Sequence, residues 1–200
     1  MHGLYGKAFR CFVTDTYGAA TWAEVAARAD LPPDGFEAMR AQPASAIVAA
    51  VEAASAVLGK SRGAILVDVG TYLVSHPGTE RLRRLLRFGG TDFAEFVHTI
   101  EDVPGRARLA VPDLALPAMS LVEEEGRYRL SVASSQAGSA LVVLGVLQAM
   151  ADDYGALVLL EYRGDPAAEE GGPVTEEVEI EVALHGYAEG RRFELGARPS

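Results

Sequence analysis

The sequence predicts an α+β fold: a helical N-terminal lobe packed on a four-stranded antiparallel sheet that carries one or more helices. Three observations predict it. Apolar residues recur at helical spacing through residues 2–103, and apolar–polar alternation replaces that period after Pro112. One more helical run, over residues 138–153, then lies between two pairs of strand-like runs. The lobes are read as residues 1–112 and 113–187, with a tail over 188–200, the whole forming one domain.

Taken in order, residues 2–17 place Leu4, Ala8, Cys11 and Phe12 on one face, and Tyr17-Gly18 supplies a stop. Thr21-Trp22-Ala23-Glu24 reads as a capping box opening a second helix, which Pro32-Pro33-Asp34-Gly35 ends. Alanine-rich helices follow over 43–58, ended by Gly59, and over 62–75, ended by Pro77-Gly78, with a short helix over 79–87. Gly89-Gly90 reads as a hinge. Asp92 and Glu95 cap a helix over 92–103 whose Phe93, Phe96, Val97, Ile100 and Val103 form one apolar stripe running to Pro104. Beyond Pro112, residues 119–123 and 127–133 alternate across a Glu-Gly turn, the pattern of a hairpin. Residues 157–162 and 174–184 are the other two strands, joined by an acidic loop over 164–173.

A hydrophobic fraction of 49% is enough for a real core. A net charge of −10 argues against nucleic acid and against anionic membranes as partners. Arg81, Arg83, Arg84 and Arg87 cluster locally and read as a solvated helix face, or less simply as a surface for an acidic partner. One cysteine, Cys11, makes neither a disulfide framework nor a thiolate cluster. No basic-then-apolar leader follows Met1-His2-Gly3, and the apolar windows near 44–58 and 138–151 are too short to span a bilayer, so a cytoplasmic location is expected.

Searches for catalytic motifs come back empty. Ala54 to Ser61 is a near miss to a phosphate-binding loop, without its first glycine or a preceding strand. His2, His76, His98 and His185 lack metal-ligand spacing, and Glu101-Asp102 diverge on a helix. No enzyme is expected.

Several strings, in this order, resemble the haem nitric oxide/oxygen-binding (H-NOX) family. Met1-His2-Gly3-Leu4 through Phe12-Val13 and Tyr17-Gly18 looks like the family's first helix. Leu85-Leu86-Arg87-Phe88-Gly89-Gly90, Phe93, Phe96 and Ile100-Glu101-Asp102-Val103 look like its proximal helix, and Leu144 to Ala151 with Tyr154-Gly155 like its last helix. The family's proximal helix ends Leu-Asp-x-Val-His, and that histidine bonds the haem iron. Here the frame reads Ile100-Glu101-Asp102-Val103-Pro104, and a proline side chain offers iron no lone pair. The family's Tyr-x-Ser-x-Arg motif, which grips the haem propionates, is matched by Ala133-Ser134-Ser135-Gln136-Ala137, where Ser135 alone survives. Losing that arginine removes a contact typically worth about 1.5–3 kcal/mol. The spacing from Pro104 to Pro117 is kept.

The resemblance therefore implies an H-NOX-like, non-enzymatic sensor or regulatory domain without the usual haem. Its pocket between the lobes is expected to be closed or to hold a non-haem apolar small molecule, since an empty cavity costs about 24 cal/mol per Å³. Tyr5, Phe9, Val74, Phe93, Val97, Pro104, Met119, Ser135, Val142 and Gly145 are the expected pocket residues. With no output domain legible in these residues, the partner implied is a separate signalling protein such as a kinase or a cyclic-nucleotide enzyme. The alternative is a haem-binding gas sensor with a substitute axial ligand, for which Cys11, His98 and Tyr5 are the candidates. No cofactor and no metal is expected on the leading reading.

Overall fold

Helical period governs the chain as far as Ala110, and strand period takes over at Ala118. The structure, a computed structural model, describes residues 3–36, 43–164 and 174–191. The acidic loop beyond Gly164, His2 and the tail beyond Arg191 lie outside the described residues. The helices before the sheet are α1 (Gly3–Tyr17), α2 (Ala19–Arg28), α3 (Ala44–Leu58), α4 (Arg62–Ser75), α5 (Glu80–Arg87), α6 (Phe93–His98) and α7 (Val103–Ala110). Strands β1 (Ala118–Glu124) and β2 (Arg127–Ser134), helix α8 (Ser139–Tyr154), and strands β3 (Leu157–Arg163) and β4 (Val174–Leu184) complete the order. The α+β reading is thus the observed architecture.

All strand pairs are antiparallel, in the order β1-β2-β4-β3. Glu125 and Gly126 turn the β1–β2 hairpin with φ of 53° and 80°, the double positive φ that a two-residue turn of matching twist demands. Tyr128, Leu130 and Val132 on β2, with Val178 and Ile180 on β4, face inward and are covered by α8 through Leu144, Leu147 and Ala151. Val74, Leu86, Phe93, Phe96, Val97, Ile100 and Val103 join that cluster, so residues on both sides of 112 share it. A second cluster, around Phe9, Phe12, Val13, Trp22, Val25, Val51 and Ile65, holds α1 to α4 together.

Helix α4 links the two clusters by crossing α8 at closest backbone range. A Cβ on Gly70 would lie 2.0 Å from the Val142 carbonyl oxygen, and one on Gly145 would lie 2.0 Å from that of Val67. Only a residue without Cβ fits either position. Gly145 therefore packs helix on helix, and its partner Gly70 carried no signal in the motif analysis.

Three local expectations are corrected. Thr21 does not cap α2: the helix starts at Ala19 because Gly18, at φ 95°, turns the chain directly out of α1, and the Thr21 hydroxyl donates to the Tyr17 carbonyl at 2.9 Å. The helix expected over 92–103 is broken. Asp92 does cap α6, its carboxylate accepting from the Glu95 N–H at 2.9 Å, but α6 ends at His98. A 3₁₀ turn over Ile100–Asp102 follows, and α7 restarts with Pro104 in its first turn. Proline lacks the N–H and its ring collides with the carbonyl one turn back, so it is accommodated at a helix start and not in the middle of one. The Thr99 carbonyl at the break accepts from the Asp102 N–H at 3.1 Å and from Arg106 at 2.8 Å.

The arginine cluster is the third correction. Arg84 pairs with Glu80 on the surface, but Arg83 and Arg87 turn inward to Asp153, whose side chain is 2% exposed. Arg83 Nη2 approaches its carboxylate to 2.7 Å, and the Arg87 guanidinium lies 3.9 Å above the Tyr154 ring. The Gly89-Gly90 segment is tied down as well. Thr99 donates to the Gly89 carbonyl and Tyr154 to that of Gly90, each at 2.9 Å.

Gly145→Ala is expected to cost about 1–3 kcal/mol through overpacking, a fall in Tm of roughly 2–12 °C for a chain of this size. An unchanged melting curve would refute the close crossing. Asp153→Ala leaves two arginines beside an apolar helix end and is expected to cost about 3–5 kcal/mol, whereas Arg84→Ala should stay within about 0.5 kcal/mol; chemical denaturation of both variants checks the contrast.

Candidate ligand cavity between the helices and the sheet

The two apolar clusters do not close completely where they meet. A cavity of about 250 Å³ lies between them. Tyr5 and Phe9 of α1, Val48 and Val51 of α3, and Leu66, Val69 and Leu73 of α4 form one side. Leu86, Phe96, Ile100, Val103, Pro117 and Met119, with Val142, Val143 and Val146 of α8, form the other. Arg62, Gln136 and Ser139 line it near the starts of α4 and α8, and the other polar side chain on the wall is Tyr5 of α1.

The residues expected in the pocket divide. Tyr5, Phe9, Met119 and Val142 are on its wall. Val74 is not: α4 turns Leu66, Val69 and Leu73 to the cavity, and Val74, a neighbour about 100° further round, packs into the cluster under the sheet. Phe93 and Val97 pack there too, leaving Phe96 as the α6 wall residue. The restart of the helix at Val103 brings that side chain to the wall, and Pro104 is buried in the first turn of α7 without lining the cavity. Gly145 sits in the α4–α8 crossing, and Ser135 is exposed in the β2–α8 connection.

The three side chains considered as iron ligands are placed apart. Tyr5 is on the wall, but its hydroxyl donates to the Ala115 carbonyl at 2.6 Å, and burial pushes its phenol up to about 12. Cys11 packs half-buried against the N-terminal cluster, off the wall. His98 is on the surface: one ring nitrogen meets the Ala94 carbonyl at 2.8 Å, the other a Glu123 carboxylate oxygen at 3.0 Å, and the ring stands edge-on to Tyr128 at 5.2 Å. Among the described residues no group of three or more His, Cys, Asp or Glu is placed to hold a metal ion. No single helix among them is long and apolar enough to cross a membrane.

This helical wall over an antiparallel sheet has relatives. The family model for haem-NO-binding domains matches residues 2–161 of the chain. The chain belongs to the haem-NO-binding (H-NOX) family. Its fold superposes on the Fe(II) unliganded H-NOX protein from K. algicida with a TM-score of 0.77 at 18% identity, covering 94% of this chain and 100% of that one. A mutant of the T. tengcongensis H-NOX gives 0.75 at 15% identity, covering 92% and 99%. Soluble guanylate cyclases 89Db and 89Da of Drosophila melanogaster are each 22% identical over 180 residues, 87% of this chain and 27% of theirs. The chain thus spans about a quarter of the length of these curated relatives.

The H-NOX family implies a haem, and the residues around this cavity do not fit one. The wall carries two side chains of a type that ligates haem iron, Tyr5 and Met119. Tyr5 is a neutral donor committed to a backbone carbonyl. Pro104 is buried with no donor atom on its side chain, and Ser135 is exposed.

Two buried carboxylates that motif reasoning missed organise the ends of α8. Glu176, 1% exposed on β4, accepts from the Gly138 and Ala140 N–H groups at 2.8 and 3.1 Å and from the Tyr162 hydroxyl at 2.5 Å. It thereby caps the start of α8 from another element, where a negative charge is favoured. A signal was available, because Glu176 has the same strand parity as Val178 and Ile180 and so faces inward. Asp153 at the other end carried no comparable sign.

The Glu123 carboxylate, then the Ala94 carbonyl, raise the His98 pKa above its ordinary value. The stability this pair adds is therefore fully present below the unfolded histidine value and lost as pH rises through the raised one. His98→Gln is expected to cost up to about 1 kcal/mol near pH 6 and almost nothing near pH 9, given an exposed pair. Urea denaturation at both pH values tests it, and an equal cost at each would refute the ion pair.

Proposed function

We propose that this H-NOX domain is a non-enzymatic sensor or regulatory domain whose cavity holds an apolar small molecule other than haem, and whose occupancy is read by a signalling protein. The observation that carries this reading is the pairing of an almost wholly apolar cavity of about 250 Å³ with a proline at the position of the family's iron ligand. A cavity of roughly 150 Å³ with such a lining binds benzene-sized guests, so the volume suits a small organic molecule. The cavity touches α1, α3, α4, α8 and the α6–α7 break, so a guest contacts both apolar clusters at once. Unequal binding to two arrangements of those clusters is the physical requirement for a sensor.

The partner we propose is a cyclic-nucleotide enzyme or a kinase. The relatives named as soluble guanylate cyclases support the first, and the match of this chain to 27% of their length supports a sensor unit within such a system. A net charge of −10 supports a cytoplasmic domain acting on neither nucleic acid nor an anionic membrane.

Protein purified from haem-supplemented cells is expected to show no Soret band, and native mass spectrometry is expected to show a single apolar organic adduct. A Soret band abolished by Cys11→Ser, His98→Ala or Tyr5→Phe would establish the haem-binding gas sensor with a substitute ligand instead.

A further inference from the structure

The sheet has two edges, and they are finished differently. At β1 the Leu121 N–H donates to a Glu101 carboxylate oxygen at 2.9 Å, so an acidic side chain from the α6–α7 break stands against that edge. β3 is the other edge: β4 pairs with one side of it, and no further strand among the described residues pairs with the other. Edge strands are commonly blunted by proline, lysine, bulges or a covering segment, because a row of backbone N–H and C=O groups templates another strand. β3 has one irregularity, at its start between Leu157 and Val158, and neither proline nor lysine along Leu157–Arg163. Its outer face carries two leucines instead, Leu157 at 39% and Leu159 at 62% exposed.

We infer that the β3 edge pairs with the β3 edge of a second copy of this chain, antiparallel about Leu160, joining two four-stranded sheets into one. A two-fold interface uses the same patch twice, and β3 suits such use. Centred on Leu160, all seven residues of the strand gain a partner. On the outer face Leu159 meets Glu161 of the second copy, and Leu157 meets Arg163, whose aliphatic stem covers it. No like charges face each other. A slide by one residue turns the buried face outward. A slide by two sets Glu161 against Glu161 in one direction, which is unfavourable, and shortens the overlap in the other.

The paired strands exchange about six to eight backbone hydrogen bonds, within the roughly 10 ± 5 that a typical interface carries. The net charge of −10 on each copy opposes the approach. Added salt screens that repulsion, so association is expected to strengthen with salt, whereas an interface built on ion pairs weakens. The pairing stands apart from whatever the cavity holds.

Sedimentation equilibrium of the full chain over a concentration series, with hydrogen exchange at its two ends, tests the pairing. A monomer–dimer equilibrium is expected, with amides of Leu157–Arg163 gaining protection as concentration rises and those of Ala118–Glu124 unchanged. Leu159→Glu sets a carboxylate against Glu161 of the second copy, twice per dimer, and is expected to weaken association on the order of tenfold. Leu159→Lys sets an ammonium there and is expected to leave association within a few-fold of the original. Melting curves at low concentration report whether both variants fold. A chain that stays monomeric throughout, a dimer whose β3 amides gain no protection, or equal weakening by the two substitutions overturns the proposal.

Discussion

The contact between Gly70 and Gly145 is the constraint on which the arrangement depends. Helices α4 and α8 meet so closely that a methyl group on either glycine would overlap a carbonyl oxygen of the other helix. That closeness sets the relation between the two apolar clusters, because α4 contributes Ile65, Val69 and Tyr72 to one and Val74 to the other. The cavity lies beside the crossing, walled by Leu66, Val69 and Leu73 from one helix and Val142, Val143 and Val146 from its partner. A shift in the crossing changes the cavity, and a guest that pushes on the wall pushes on the crossing. Packed interiors have low compressibility and transmit strain along such a contact.

Helix α8 is held at both ends by buried carboxylates. Glu176 satisfies its first N–H groups, and Asp153 near its last turn draws in Arg83 and Arg87 from α5. Backbone groups of the C-terminal segment dock at the same end, with Tyr187 and Arg191 donating to the Gly155 and Asp153 carbonyls at 2.8 and 2.9 Å. Both carboxylates are expensive to bury alone and are acceptable because each meets several donors. The helix is thereby held at both ends against its neighbours.

A proline at position 104 removes a donor atom and also changes the backbone, since α6 stops at His98 and α7 begins at Val103. Beside that break Phe96, Ile100 and Val103 stand on the cavity wall, and Phe93, Val97 and Pro104 do not.

The order of elements, the antiparallel sheet and the family were legible in the residues, because apolar period is a local property and strings such as Ile100 to Val103 keep their order without any tertiary information. Of the residues that the resemblance put in the pocket, Tyr5, Phe9, Met119 and Val142 stand on the cavity wall. The remainder depended on contacts between segments far apart in sequence. Whether Gly145 lines a cavity or admits a helix is decided by Gly70, 75 positions earlier, and whether Arg83 is solvated or buried is decided by Asp153. Arg62 became part of the cavity only when α4 was laid along α8. By itself, then, the sequence determined which segments carry an apolar face and that position 104 is a proline; tertiary structure alone decided which buried faces meet and which polar groups stand beside the space between them, because packing partners are chosen by shape across the fold and not by spacing along the chain.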